Sequence, residues 1–143
     1  MDQFSELTAF IPVLENDAFG TLRFDCENNG TPEQPLRLPF VEYTPAMLRF
    51  VKTLYGFCNM HPEYGHTRYA ETLEAYGLQW SANSMAQADV SNAEAKLVIA
   101  LLIGAVRADR FSEGTLLEFC KTGCIVRWLQ RLAAIDDDAS GAL

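Results

Sequence analysis

The chain has 143 residues, of which 49% are hydrophobic and 21% are charged, and this composition is typical of one globular domain. No hydrophobic run approaches the ~20 residues that a membrane-spanning helix needs, and the N-terminus carries no signal-peptide pattern, so we expect a cytoplasmic protein that does not enter the membrane. The formal net charge of −8 disfavours nucleic acid as a partner, because binding to phosphate backbones draws on a basic protein surface.

The N-terminal third of the chain is acidic and contains two kinds of pattern. Residues 1–44 hold eight acidic residues against two basic ones, a balance of −6. Apolar residues at helical spacing predict a short helix over residues 2–11, ending before Pro12. Residues 18–43 contain two alternating stretches separated by turn-forming residues, and this pattern fits either a small β-hairpin or an ordered loop.

The rest of the chain carries the start signals and the apolar spacing of helices. Thr44 followed by Pro45 predicts a helix start, with a hydroxyl at the N-cap and proline at the first helical position. Ser91 and Glu94 fit a capping box. The helix that follows is apolar on nearly every side over residues 97–106, so it should lie at the centre of the protein.

The C-terminal part of the chain completes the predicted fold. Two further helices, separated by Gly123, extend the pattern as far as residue 135, and residues 136–143 have little to bury. We therefore predict a mainly α fold, with a single compact helical domain of five or six helices over residues 1–135. Either a small β-hairpin or an ordered loop near residues 18–43, and an acidic flexible tail over residues 136–143, complete this prediction.

A charged elbow between two of the predicted helices is the candidate ligand-binding site. Arg107, Asp109, Arg110 and Glu113 place two guanidinium groups and two carboxylates within seven residues. In a structural interpretation, the arginines complement the C-terminal dipole of one helix and the acids complement the N-terminal dipole of the next. In a functional interpretation, Arg107 and Arg110 form a clamp for an anion, because paired guanidinium groups suit carboxylate and phosphate.

The elbow is part of a longer resemblance. The runs from Val106 to Leu117 and from Cys124 to Leu132 resemble the C-terminal part of a family of small bacterial proteins that is known only as a domain of unknown function, with an Arg-x-x-Arg-Phe-x-Glu-Gly elbow. Residues 38–47 and 50–55 are similar to the middle of that family. Where its members have a Phe-Asp-Trp-like triplet, this chain has Leu-Gln-Trp at 78–80. The resemblance implies a compact helical fold and no particular mechanism.

A metal site and a DNA-binding site are compatible with the sequence, but each has a simpler structural explanation. Zinc would need several thiols and imidazoles to meet, and the chain offers Cys58, His61, His66, Cys120 and Cys124. Their spacing matches no known zinc motif, and both C-terminal cysteines follow the apolar rhythm of their helices. We predict no metal site, no cofactor and no catalytic residue.

Residues 112–135 have the outline of a helix-turn-helix. Arg127, Gln130 and Arg131 would lie on the exposed side of its second helix, where a DNA reader contacts base edges. Three aspartates, residues 136–138, follow that helix, and we expect pairing with them to account for both arginines. Nucleic acid therefore stays a disfavoured partner.

Two functional hypotheses from different classes follow from these patterns. The first is a non-enzymatic protein-interaction module, from a mobile element or an accessory operon, that binds a protein partner such as a basic nucleic-acid-binding protein. It would use its acidic N-terminal third and a tyrosine-rich middle, which contains Tyr43, Tyr55, Tyr64, Tyr69 and Tyr76 with Trp80 close behind. The second is a small-anion-binding protein or enzyme that uses Arg107 and Arg110. The sequence specifies neither the partner nor the oligomeric state.

Overall fold

The computed structural model describes residues 3–17, 19–23, 40–109 and 114–141. In chain order its elements are helices α1 (Ser5–Thr8) and α2 (Phe10–Glu15), strands β1 (Gly20–Arg23) and β2 (Phe40–Tyr43), and helices α3 (Pro45–Met60), α4 (Tyr69–Ala75), α5 (Ala82–Ala86), α6 (Ala95–Ala108), α7 (Thr115–Lys121) and α8 (Cys124–Gly141). Two short 3₁₀ turns, Pro62–Tyr64 and His66–Arg68, connect α3 to α4. The predicted mainly α fold with a small hairpin is confirmed, and the short α5 and the break between α1 and α2 add to the predicted helices.

The hairpin is formed by β1 and β2, which pair antiparallel with Gly20 opposite Tyr43 and Arg23 opposite Phe40. The rest of the segment over which a hairpin is predicted lies outside the described residues. A Cβ atom at Gly20 would lie 2.9 Å from the carbonyl oxygen of Glu42, so glycine is required where the two backbones approach.

Helix α6 lies at the centre of the protein, as its sequence predicts. Every residue from Leu97 to Val106 is buried, and the helix packs against α4, α7 and α8. Full burial of one large aliphatic side chain is worth about 1.5–3 kcal/mol, so this helix supplies a large part of the hydrophobic stabilisation. Helix α8 also packs against α1 and α2, which ties the two ends of the chain together. Within the described ranges, no helix is both long enough and apolar enough to cross a membrane.

Helix α3 begins at the predicted side-chain cap. The hydroxyl of Thr44 accepts a hydrogen bond from the N–H of Met47 at 3.3 Å and donates one to the carboxylate of Asp17. The same carboxylate accepts a hydrogen bond from the N–H of Phe19 at 2.9 Å. One aspartate therefore joins the end of α2 to the start of α3.

Two boundaries that the sequence predicts are wrong. Ser91 does not cap α6, because its N–H and hydroxyl donate to the carboxylate of Asp89 at 3.0 and 2.7 Å, and Glu94 is the residue that precedes the helix. Such local hydrogen bonds compete with capping for the same side chain. The N-terminal helix also does not end before Pro12, since α2 contains this proline in its first turn, where a missing N–H costs no helical hydrogen bond.

The C-terminal helix continues past residue 135, where the predicted domain ends. Asp136 is only 5% exposed, and its carboxylate accepts hydrogen bonds from the backbone N–H groups of Gln3 and Phe4, both at 3.0 Å. The prediction that a flexible tail begins at Asp136 is wrong, because this side chain holds the N-terminal segment at the entry to α1. The flexibility of the residues after Asp136 stays a prediction.

Candidate functional site

The elbow between α6 and α7 is organised by Asp109, which follows the last residue of α6. Its Oδ1 atom accepts hydrogen bonds from the hydroxyl of Tyr43 at 2.9 Å and from the N–H groups of Gly114 at 3.0 Å and Leu116 at 3.2 Å. Gly114 has a φ of +92°, a conformation that L-residues with a side chain rarely adopt, so glycine lets the chain turn into α7. The carboxylate of Asp109 therefore accepts the hydrogen bonds of the amide groups at the start of α7, and these are the groups that an anionic ligand would need.

The partner of this carboxylate is kept protonated by its surroundings. Burial, followed by the hydrogen bond and the negative charge of Asp109, raises the pKa of Tyr43 far above its ordinary value. The phenol therefore keeps its proton at any physiological pH and donates a hydrogen bond to Asp109. This arrangement connects the end of β2 to the elbow.

The other predicted elbow residues are only partly described. Arg107 is half-buried, and its guanidinium carbon lies 5.6 Å from the centre of the Tyr55 ring, a cation–π contact. Arg110 and Glu113 lie outside the described residues, so their part in the predicted clamp stays a prediction. The structure thus places Asp109 in a structural joint and Arg107 against an aromatic face.

The predicted zinc ligands do not assemble in the described part of the chain, where no group of three or more histidine, cysteine and acidic side chains is placed to hold a metal ion. Cys58, Cys120 and Cys124 are free thiols in the core. Burial raises the pKa of Cys58 to about 11 and that of Cys120 to about 12, so both remain neutral thiols and act as small apolar residues. His61 stacks on Phe57, with their ring centres 4.4 Å apart.

The outline of a helix-turn-helix is present in α7 and α8, with Gly123 between them at a φ of +82°. However, Arg127 donates to the carbonyl oxygen of Ala86 and Arg131 to that of Ala93, both at 2.9 Å. The expectation that these arginines pair with the three aspartates of residues 136–138 is wrong, because both side chains reach the connector between α4 and α6 instead. Their bonds hold that connector against α8.

A surface with two exposed aromatic rings lies along the same connector, and we name it the aromatic furrow. It consists of three adjoining clefts of about 460, 390 and 290 Å³. Tyr76 lines the first two clefts and Leu78 lines the last two, so these side chains join them. Tyr76 is 41% exposed, and Trp80, which lines the third cleft, is 37% exposed.

The exposed rings of the furrow are held in place by hydrogen bonds and ring contacts within the protein. The indole N–H of Trp80 donates to the carbonyl oxygen of Gly104 at 2.9 Å, and the ring meets Tyr69 edge-on with centroids 5.1 Å apart. A Cβ atom at Gly104 would lie 3.0 Å from the Cε atom of Met85 and 3.5 Å from the Trp80 ring, so both side chains pack closely against this part of α6. The hydroxyl of Tyr76 donates to Glu94 at 2.8 Å. The furrow thus presents exposed aromatic rings that contacts within the protein hold in place.

The model of a family of unknown function, DUF6508, matches residues 1–138 of the chain. The chain belongs to DUF6508. No curated protein and no solved structure matches it. The predicted membership of an uncharacterised domain family is confirmed, whereas a bacterial origin and the elbow as a shared motif of DUF6508 stay predictions.

In this member of DUF6508, the residues of the furrow come from separate parts of the chain, and no single sequence pattern predicts them as one surface. The furrow contains Tyr76 of the tyrosine-rich middle together with Trp80, whereas Tyr43 and Tyr64 serve structural contacts, with Asp109 and Gln3 respectively. Two signals in the sequence point to the furrow. Trp80 stands in a polar connector, and Gly104 is a glycine inside an otherwise apolar helix, which often marks a close approach by another segment.

Proposed function

We propose that this protein is a non-enzymatic protein-interaction module that binds its partner through the aromatic furrow. The observation that carries the proposal is that Trp80 and Tyr76 are exposed to solvent yet fixed by hydrogen bonds to Gly104 and Glu94. The apolar surface of an exposed aromatic ring is removed from water only when a partner covers it, and this removal favours binding.

Fixed aromatic rings suit a binding surface for two physical reasons. Tryptophan and tyrosine are enriched among the residues that dominate the energy of protein interfaces. A ring that already occupies its bound orientation loses little conformational entropy when the partner docks, so more of the contact energy appears as affinity. Polar groups around the rings, including Arg68, Glu71 and Lys96 of the first cleft, supply the rim that such interfaces have.

The charge distribution indicates the kind of partner. Residues 1–44 carry a balance of −6, and the chain as a whole carries −8, so the field of the protein attracts basic surfaces. A basic protein, such as one that binds nucleic acid, is the partner class that we propose. Long-range attraction of this kind raises the association rate more than it lowers the dissociation rate.

The same proposal places the protein in a bacterial cytoplasm, in the setting of a mobile element or an accessory operon. The free thiols Cys58, Cys120 and Cys124 support a reducing compartment. The alternative function, an anion clamp at Arg107 and Arg110, is less well supported, because Asp109 already accepts the hydrogen bonds of the α7 amides.

The test is to recover a partner from the native host, purify it and measure its affinity for defined variants. Tyr76→Ala should weaken binding by about tenfold or more, the effect of losing one important aromatic contact. Met60→Ala is the matched control, because Met60 is a large apolar residue, 77% exposed, that lines none of the three clefts. Its affinity should stay within about twofold of the wild type.

A second furrow variant protects the test against a simple loss of folding. Gln79→Arg adds a positive charge at the exposed rim of the third cleft, without removing an aromatic contact, and should weaken binding to a basic partner. Thermal melts establish that each variant is folded. If both furrow variants bind as the wild type does, the furrow is the wrong surface, and weaker binding by Met60→Ala would point to the exposed end of α3 instead.

A further inference from the structure

A further cleft of about 430 Å³, next to the aromatic furrow, lies between α8 and the connector that precedes α6. Arg127, Gln130 and Arg131 line it from the helix, and Asp89 lines it from the connector. Its walls also include small apolar side chains, Ala88, Val90 and Ala134. The cleft has the size of a small-ligand site and combines apolar walls with a few polar groups.

The two arginines project into this cleft from adjacent turns of one helix. They stand four residues apart, so their guanidinium groups are neighbours on the same face of α8. Like charges at this spacing repel each other and disfavour the helix. The residues that stand three or four positions from either arginine along α8 include no acid, so the helix itself does not compensate this repulsion.

Hydrogen bonds to the connector hold both side chains where they are. Arg127 uses Nη2 to donate to Ala86, and Arg131 uses Nε to donate to Ala93. A guanidinium group has five N–H donors, so most of the donors of each arginine are left for another acceptor. The connector thus fixes the side chains without neutralising their charge.

The acids of the described part of the chain do not neutralise the pair either. No ion pair involves Arg127 or Arg131 in the ranges that the structure describes. Asp89 shares the cleft, but its Oδ1 atom accepts two hydrogen bonds from Ser91. Counting these three side chains, the cleft carries a net charge of +1 on a protein whose net charge is −8.

We propose that this cleft binds a small molecule through an oxyanion, either a phosphate or a carboxylate group. The oxyanion lies between Arg127 and Arg131, where each guanidinium can donate to it, and the amide of Gln130 supplies a further donor. The apolar walls then accommodate the carbon skeleton of the ligand. A bound oxyanion also removes the repulsion between the two arginines. The site adjoins the aromatic furrow, with which it shares Ala88, Asp89 and Ser91 of the connector, and it does not include Arg107 of the elbow.

The experiment uses inorganic phosphate and succinate as probes, titrated into the wild-type chain at constant ionic strength and followed by calorimetry and by the side-chain Nε–H signals in NMR spectra. We expect at least one probe to bind saturably and to shift the Nε–H signal of Arg131. Gln130→Glu places a competing carboxylate beside both arginines while leaving their bonds to the connector intact. It should weaken binding by about tenfold or more.

Two further variants make the result specific. Asn59→Asp, at an exposed position of α3, changes the net charge by the same amount and should leave the affinity within about twofold. Arg107→Ala tests the elbow and should also leave it unchanged. A preference for phosphate or for succinate identifies the class of oxyanion, and equal binding supports a general oxyanion site. The proposal is overturned if neither probe binds saturably, if Gln130→Glu binds as the wild type does, or if only Arg107→Ala abolishes binding.

Discussion

Replacing Asp109 with alanine tests whether the elbow is a structural joint. The carboxylate accepts three hydrogen bonds, from the hydroxyl of Tyr43 and from the N–H groups of Gly114 and Leu116. Losing the side-chain cap of a helix costs about 0.5–2 kcal/mol. Losing a hydrogen bond between a half-buried hydroxyl and a carboxylate costs about 1–2 kcal/mol. We therefore expect Asp109→Ala to lower the free energy of unfolding by about 2–3 kcal/mol.

Urea denaturation measures this change, and a double-mutant cycle assigns it to the right contact. Tyr43→Phe removes one of the three bonds and should cost about 1 kcal/mol. The double variant should lose less than the sum of the two single losses, by a coupling energy of about 1 kcal/mol. Asp138→Ala is the control, since Asp138 is exposed near the end of α8, and it should stay within about 0.5 kcal/mol of the wild type.

One result would refute this account of the elbow. If Asp109→Ala unfolds within about 0.5 kcal/mol of the wild type, the carboxylate is not needed to start α7, and the elbow is again open to an anionic ligand. Strictly additive losses in the cycle would mean that the bond between Tyr43 and Asp109 contributes nothing to stability.

Three further predictions concern other parts of the molecule. In denaturation experiments, Gly20→Ala should lower the free energy of unfolding by about 1–3 kcal/mol, because the new methyl group would overlap the backbone of β2. Gly56→Ala is the control, since open space surrounds this helical glycine, and it should raise the free energy of unfolding by up to about 1 kcal/mol. If Gly20→Ala has no effect on stability, the two strands do not approach as closely as described. Asp136→Ala should cost about 2 kcal/mol and speed proteolysis of the N-terminal segment, and an unchanged cleavage rate would show that the carboxylate does not hold it. The free energy of unfolding should fall as the pH rises above about 9. The unfolded chain ionises its thiols near their ordinary pKa of 9.0, whereas burial raises the pKa of Cys58 to about 11 and that of Cys120 to about 12, so the folded state holds these protons more tightly, and this contribution to its stability is complete below pH 9 and is lost above it. A urea midpoint that stays flat between about pH 8 and 10.5 would contradict this.

The candidate sites show how far sequence reasoning reaches. The elbow drew attention because four charged residues stand close together in the chain, and Asp109 is indeed central to it. Its partner Tyr43 is 66 residues away, and no pattern in the sequence connects the two. The pattern predicts an exposed face of α8 for Arg127 and Arg131 and the nearest acids as their partners, whereas the structure pairs both with backbone carbonyl groups. Proximity along the chain was a poor guide in both cases, because packing decides which polar groups meet.

The sequence by itself determined the helical class, the cap at Thr44, the helix break at Gly123 and the central position of α6. Each of these depends on the spacing of apolar residues within one helix or on a hydrogen bond within one turn, and such short-range rules are written directly into the order of residues. Only the tertiary structure decided that Asp136 meets Phe4, 132 residues away, and that Arg131 meets Ala93, 38 residues away. Whether a hydrogen bond forms between residues so far apart in the chain depends on how whole helices pack. The spacing of residues along the chain does not indicate how close two such residues lie in the folded protein.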